Sequence, residues 1–153
     1  EGGAQLLDLS QLARELGMAM APLAHARGFA LALEADQPVW LYGEPTLLHE
    51  LLSNLVDNAM AHSPSGSNII LRVNSPAILE VEDDGPGIPL EDRERVFERF
   101  YRRNSHVAGS GLGLAIVGDI CRAHLAHISL HDGAQGGLKV RVSFVPANGG
   151  RVQ

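Results

Sequence analysis

The chain has 153 residues, of which 45% are apolar and 20% charged, with 18 acidic residues against 12 basic ones and a formal net charge of −6. That is one domain's worth of chain with enough apolar residues for a core, and the acidic balance argues against a general nucleic-acid binder, which would carry a basic face. A single cysteine, Cys121, excludes an internal disulfide and a cysteine-based zinc cage, and no apolar run approaches the ~18 residues a membrane helix needs.

The chain opens on Glu1 rather than Met and shows no signal-peptide pattern, which reads as an excised soluble domain spanning residues 1–153. Leu6, Leu9, Leu12, Leu16, Met20 and Leu23 recur at helical spacing and predict a helix over residues 5–27, bent or interrupted at Pro22. Gly28 marks a turn. Residues 29–34 alternate as a short strand, and 38–42 read as a second one. Pro45 suits the first turn of a helix over about 47–61, whose apolar stripe is Leu48, Leu51, Leu52, Leu55 and Val56.

Residues 63–67 read as a loop, and 69–74 and 77–82 as a hairpin about Ser75-Pro76. Asp84-Gly-Pro-Gly87 breaks the chain, and 90–100 read as a short charged helix. Residues 102–109 have no apolar periodicity. Val107 is their only sizeable apolar side chain, so the segment cannot offset the cost of ordering its backbone and is expected to be mobile. Residues 111–125 read as a helix, 127–131 and 139–145 as strands joined by the glycine-rich stretch 133–137, and the tail beyond Pro146 as frayed. Helices alternating with strand pairs predict an α/β (α+β) domain: a mixed sheet with helices layered on one face.

Three segments carry chemistry. Asn54 and Asn58 stand four apart on the second helix and share a face. Two amides one turn apart can offer carbonyl oxygens to a hard cation such as Mg²⁺, although two solvated asparagines would give the same pattern. Val81-Glu-Asp83-Asp-Gly85-Pro-Gly87-Ile88 ends a strand on carboxylates and turns on glycines. A carboxylate there can accept from an exocyclic amine, and the glycines let backbone approach a flat ring; an ordinary Asp-Gly surface turn reads the same way. Gly109-Ser-Gly111-Leu112-Gly113-Leu114 opens a helix whose first amides suit an anion. It is neither a Rossmann fingerprint nor a P-loop.

Taken in order, these segments resemble the catalytic, ATP-binding domain of bacterial sensor histidine kinases, within the superfamily of gyrase, Hsp90 and MutL ATPases. The resemblance runs over nearly the whole chain. Its asparagine box is Asn54-Leu-Val-Asp57-Asn58-Ala59, its first glycine box Asp83-Asp-Gly85-Pro-Gly87-Ile88, its phenylalanine box Val96-Phe97-Glu-Arg-Phe100-Tyr101-Arg102, and its second glycine box Gly109-Ser-Gly111-Leu112-Gly113-Leu114.

The resemblance implies the family's two-layer α/β sandwich of Bergerat type, with ATP held between sheet and lid. It implies that Asn58 ligates Mg²⁺ with Asn54 as its partner in the box, and that Asp83 takes the adenine amine. Gly85, Gly87 and Ile88 would shape the base pocket. Tyr101 and Arg102 would reach the nucleotide from the lid, and Gly109, Gly111, Leu112, Gly113 and Leu114 would form the hinge whose amides meet the phosphates. ATP with Mg²⁺ would order the lid more than ADP does. The same resemblance implies a γ-phosphoryl donor to a histidine on a separate dimerisation domain, which is absent from this fragment along with sensor and membrane segments. It implies a response regulator downstream, a homodimer in the full-length protein, a monomeric isolated domain, and a cytoplasmic place beneath a bacterial inner-membrane sensor.

Two positions depart from the family pattern. Ala61 stands where Lys or Arg is common, with His62 at a Tyr or His position, which predicts modest ATP affinity unless Arg102 or Arg103 compensates. The family's His-Gly-Gly reads His124-Leu125-Ala126. Gyrase-type hydrolases and anti-sigma serine kinases carry a glutamate base where this chain has Asn54, which cannot take a proton. A non-catalytic nucleotide sensor is the remaining alternative. His49-Glu50 imitates a phosphoacceptor box but sits in the asparagine-box helix without the following proline. His124, His127 and His131 straddle a helix end and a strand, and Cys121 and Trp40 read as core residues.

Overall fold

The computed structural model describes residues 3–87, 89–92 and 110–147. Strand β1 (Gln5–Asp8) leads into helix α1 (Leu9–Ala26), followed by β2 (Ala30–Glu34), β3 (Trp40–Gly43) and helix α2 (Pro45–His62). The hairpin β4 (Asn68–Asn74) and β5 (Ile78–Asp83) precedes a single 3₁₀ turn, Leu90–Asp92. Helix α3 (Ser110–Ala123) and a second hairpin, β6 (His127–Asp132) and β7 (Leu138–Ser143), complete it.

Five strands form the main sheet in the order β2-β4-β5-β7-β6. β2 runs parallel to β4 and every other pair is antiparallel, so the sheet is mixed as expected. The helices cover one face. Leu48, Leu51, Leu52, Leu55 and Val56 of α2, and Leu114, Val117, Ile120 and Cys121 of α3, share one buried cluster with Ile69, Leu71, Leu79, Val81, Val140 and Val142 of the sheet. Each fully buried aliphatic side chain there is worth about 1.5–3 kcal/mol of transfer energy. Cys121 is a core residue, and burial pushes its thiol up to about 12. No helix among the described residues is long and apolar enough to cross a membrane.

The opposite face is polar and ordered by charge. Glu34, Arg72, Glu80, Arg141 and Ser129 lie in one cross-strand row over all five strands. Arg72 contacts Glu34 at 2.8 Å, Glu80 at 3.0 Å and Glu82 at 3.1 Å, and Arg141 takes the other oxygen of Glu80 at 2.7 Å. Burial by itself would raise the carboxyls of Glu80 and Glu82, but these guanidinium contacts, joined for Glu82 by the Ala134 amide, outweigh it and hold both below their usual range.

The first helix starts later than its periodicity suggests. Residues 5–8 form β1, which pairs antiparallel with β3 in a separate ribbon, Leu6 opposite Tyr42 and Asp8 opposite Trp40. Asp8 divides the two elements: its Oδ1 accepts from Ser10 N at 3.0 Å, capping α1, and from Val39 N at 2.9 Å. Pro22 does not interrupt α1, which continues to Ala26. Trp40 lies in a strand as expected, but 46% of it is exposed: among the described residues no second layer covers the outer face of the ribbon.

Helices α1 and α3 end in the same hydrogen-bond pattern. Gly28 N donates to His25 O and Phe29 N to Ala24 O; Leu125 N donates to Arg122 O and Ala126 N to Cys121 O. These are Schellman closures, which place one residue in the left-handed region. At α1 it is Gly28, φ +90°; at α3 it is Leu125, φ +55°, where the family pattern has glycine. Where a helix is expected over residues 90–100, the described residues Leu90–Asp92 form a 3₁₀ turn, and residues 93–100 and the expected lid at 102–109 lie outside the described residues.

Candidate functional site

Between α2, α3 and the ends of β5 and β7 lies a pocket lined by Leu55, Asn58, Ala59, His62, Val81, Asp83, Leu114, Leu138 and Val140. Its walls are largely apolar, with Asn58, His62 and Asp83 as the polar side chains. Asn58 comes from the buried side of α2 and Asp83 from the last residue of β5. Among the described residues the wall carries no lysine or arginine, in keeping with alanine at position 61.

The two asparagines are oriented by their own helix. Asn54 Nδ2 donates to Glu50 O and Asn58 Nδ2 to Asn54 O, both at 2.8 Å. Spending the NH₂ groups on carbonyls one turn back turns the amide oxygens away from the helix axis. Asn58 is 8% exposed, and its Oδ1 has no hydrogen-bond partner among the described residues. A buried acceptor left unpaired is costly in a folded protein. A hard cation wants such an oxygen, so the donor set present fits Mg²⁺. Among the described residues no group of three or more His, Cys, Asp or Glu is arranged for a metal.

Asp83 is held by the loop after it and the strand beside it. Its Oδ1 accepts from Gly85 N at 2.9 Å and from Leu138 N at 3.3 Å. Burial pushes its carboxyl above the usual range, against those amides and the charge of nearby His62. Backbone approach is close throughout. A Cβ on Gly85 would stand 2.6 Å from Ser63 Oγ, and one on Gly137 would stand 2.0 Å from Asp83 O. Gly87 adopts φ +79° and leans on the backbone of Gly136 and Gly137. Next to Asp83, Glu82 Oε2 accepts from Ala134 N at 2.6 Å, which ties the β6–β7 turn to the same strand end.

Of the expected site residues, Asn58, Asp83 and Leu114 lie on the wall of one pocket; Asn54 stands one turn before Asn58 on α2, and Gly85 and Gly87 lie in the turn after Asp83. Gly111, Leu112 and Gly113 fall inside α3, whose first residue is Ser110, so the second glycine box forms the first helical turn rather than preceding it. Ile88, Tyr101, Arg102 and Gly109 lie outside the described residues. The histidine triplet serves other ends. His124 Nε2 accepts from Glu44 N at 3.1 Å while its Nδ1 meets Ile120 O at 2.9 Å, and His131 Nε2 meets Ser129 Oγ at 2.8 Å. His49 is an exposed residue of α2.

Three residues near Asp83 escaped the sequence reading. In the sequence Leu138 falls between the glycine-rich stretch 133–137 and the strand expected at 139–145, Gly137 ends that stretch, and Ser63 opens the expected loop 63–67. Only a closing Gly-Gly before an alternating strand could have pointed to them, and that pattern is common at hairpins.

Comparison with known proteins agrees with this geometry. Residues 43–148 match the family described as histidine kinase-, DNA gyrase B-, and HSP90-like ATPase. The chain is 37% identical over 146 residues to the sensor protein kinase PmrB of Pseudomonas aeruginosa, covering 92% of this chain and 30% of that protein. It is 42% identical over 103 residues to the sensor protein QseC of Escherichia coli, covering 67% of this chain and 23% of that one. It therefore spans less than a third of the length of these two relatives. Among solved structures, the mycobacterial sensor histidine kinase MprB superposes with a TM-score of 0.78 at 28% identity, over 94% of this chain and 97% of that one. The nucleotide-free catalytic domain of the histidine kinase ThkA gives 0.82 at 22% identity, over 93% and 95%, which supports the fold. This chain belongs to the histidine kinase-, DNA gyrase B- and HSP90-like ATPase family, with sensor histidine kinases as its relatives.

Proposed function

We propose that this domain binds MgATP and donates the γ-phosphoryl group to a histidine on a separate dimerisation domain of a two-component sensor kinase. The observation that carries the reading is one pocket with two polar ends: an unpaired amide oxygen on Asn58 and a buried carboxylate on Asp83, with apolar side chains between them. Asp83 would accept from the adenine amine, and a charged acceptor makes the stronger bond. Leu55, Ala59, Val81, Leu138 and Val140 would exclude water from the faces of the ring. Asn58 Oδ1, with Asn54 one turn earlier, would hold Mg²⁺, which when bound supplies positive charge to the phosphate oxygens. The first-turn amides of α3, Gly111 to Leu114, would receive the phosphates at the positive end of the helix dipole.

With the nucleotide held this way, the domain's contribution is position and charge neutralisation rather than acid–base chemistry. Asn54 has no basic atom to activate water, which favours transfer to an acceptor side chain over hydrolysis. The acceptor hairpin, the response regulator, the dimeric whole protein and its cytoplasmic place beneath a membrane sensor belong to the same proposal, as do Ile88, Tyr101, Arg102 and Gly109 as nucleotide contacts. The test is twofold. Calorimetry of the chain with ATP should show binding strengthened by Mg²⁺, and γ-labelled ATP should label the histidine of an acceptor hairpin added in trans. Magnesium-independent binding, or release of labelled phosphate with no protein label, would overturn the reading.

A further inference from the structure

A second cleft, of about 280 Å³, lies between α1 and the end strand of the main sheet, β2. Helix α1 contributes Gly17, Met18 and Ala21 to it, and β2 contributes Leu31, Ala32 and Leu33. Side chains alternate along a strand, so Ala32 belongs to the face opposite Leu31 and Leu33. Because all three line the cleft, it reaches the backbone edge of β2. That edge is open: β4 takes the other side, and among the described residues no strand pairs with it. Natural sheets guard such an edge with charge, proline or a bulge. The opposite edge strand, β6, carries His127, His131 and Asp132. β2 instead reads Ala-Leu-Ala-Leu before Glu34, whose carboxylate is taken by Arg72. The helix side is open as well. Gly17 sits inside α1, where glycine costs about 1 kcal/mol relative to alanine, and a Cβ there would meet nothing within 4 Å. Packing within the described chain does not call for that glycine. Met18 beside it is 78% exposed.

We propose that this cleft is a strand-addition site for an extended segment of a partner protein, with apolar side chains at alternate positions and a carboxylate at one end. The open N–H and C=O groups of β2 select extended backbone over a helix or a lipid chain, neither of which offers backbone groups to pair. An added strand continues the pleat, so every second side chain falls on the inner face, beside Leu31 and Leu33 and into the space over Gly17. Met18 suits the mouth of the cleft, because an unbranched thioether adapts to the side chain it meets. Charge sets the end. Arg14 is the one charged side chain on the wall. It donates to Ala35 O, one residue past β2, and to Gln11 Oε1, both at 3.1 Å, with Asp8 3.9 Å away. A cation compensated only by that longer contact favours an acidic residue where the segment passes the last residues of β2. The cleft shares no lining residue with the pocket of Asn58 and Asp83, so the two sites can be tested apart.

The test is fluorescence anisotropy of the 153-residue chain with a labelled peptide in which leucine alternates with threonine and the last residue is aspartate. Saturable binding is expected below about 1 mM, the scale of a short, weak contact. Methylating the backbone nitrogens of the leucines, or those of the threonines, removes donors from opposite edges of the peptide strand. One methylated peptide should therefore bind about tenfold more weakly and the other should bind as before. Gly17→Leu should fill the cleft and abolish binding. It should also raise the melting temperature, because leucine is the better helix former and its Cβ meets open space. Asparagine in place of the aspartate should weaken binding about two- to fivefold, the scale of a partly exposed ion pair. Arg14→Gln should remove that difference. No saturable binding up to about 1 mM, equal effects from both methylated peptides, or unchanged binding by Gly17→Leu would overturn the proposal. Self-association of the unmodified chain that Gly17→Leu abolishes would overturn it too, by placing a second copy in the cleft.

Discussion

Gly137 and Asp83 meet backbone to backbone: a Cβ on Gly137 would stand 2.0 Å from the Asp83 carbonyl oxygen and 2.6 Å from its Oδ1. The carboxylate proposed to read the base is therefore positioned by the absence of a side chain on the neighbouring strand. Gly137→Ala should push β7 from the end of β5 and cost about 1–3 kcal/mol of stability, the range for overpacking. It should also weaken adenine nucleotides more than free triphosphate. Urea denaturation paired with nucleotide titration checks both, and a variant of unchanged stability would mean that the strands separate without cost.

Asn58→Ala should abolish the magnesium-dependent part of ATP affinity while the domain stays folded. The substitution removes an amide oxygen that is unpaired in the protein, so folding loses little beyond the bond to Asn54 O, worth about 0.5–1.5 kcal/mol. Calorimetry with and without Mg²⁺ is the measurement. An unchanged magnesium effect would remove Asn58 from the metal site.

Asp83 gives a pH signature. Burial raises its carboxyl, so the folded domain holds that proton to higher pH than the unfolded chain does. Stability therefore falls as pH rises from the ordinary carboxylate range through the raised value, and the charged group at neutral pH is a standing cost. Asp83→Asn keeps an Oδ1 for Gly85 and Leu138 and should make the ligand-free domain more stable at neutral pH. It should also weaken ATP far more than GTP, because the new NH₂ faces the adenine amine. Thermal melts across pH, with parallel ATP and GTP titrations, test this; equal losses for both nucleotides would show that Asp83 does not read the base.

Arg141 and Arg72 hold Glu80, and the Ala134 amide and Arg72 hold Glu82, ionised under burial, in each case below the usual range. Carboxyls lowered in the folded state contribute stability above their unfolded values, and that stability is lost as pH falls through the folded ones. Arg72→Met leaves two buried carboxylates without that cation and should cost about 3–5 kcal/mol near neutrality. The deficit should shrink in acid, as the carboxyls protonate. Denaturant midpoints at neutral and acid pH give the answer, and a pH-independent deficit would point to lost packing by the arginine stem.

Leu125→Gly should stabilise the domain by about 1 kcal/mol. Leu125 sits at φ +55° in the closing turn of α3, 82% exposed, so the change relieves the backbone and empties no core. A higher melting temperature is expected, and a lower one would mean that the leucine side chain has a contact partner.

The residues that carry the proposed site were legible in the chain because their chemistry is local. Asn54 and Asn58 are one helical turn apart, so any α-helix through them puts both on one face. Asp83 and the glycines after it form a turn whatever lies around it. The apolar stripe of α2 and the alternation in β4 and β7 likewise specify element and face through period alone. What only tertiary structure decided are contacts between residues far apart in the chain. Leu6 continues a helical spacing but lies in β1, because Tyr42 offers it a strand partner and Asp8 caps the helix just after it. Trp40 is exposed because, among the described residues, its ribbon has no layer above it. Gly137, Leu138 and Ser63 gain their meaning from where the ends of β7 and α2 arrive, beside a carboxylate at residue 83. Periodicity reports the side a residue faces, and only packing decides what stands there.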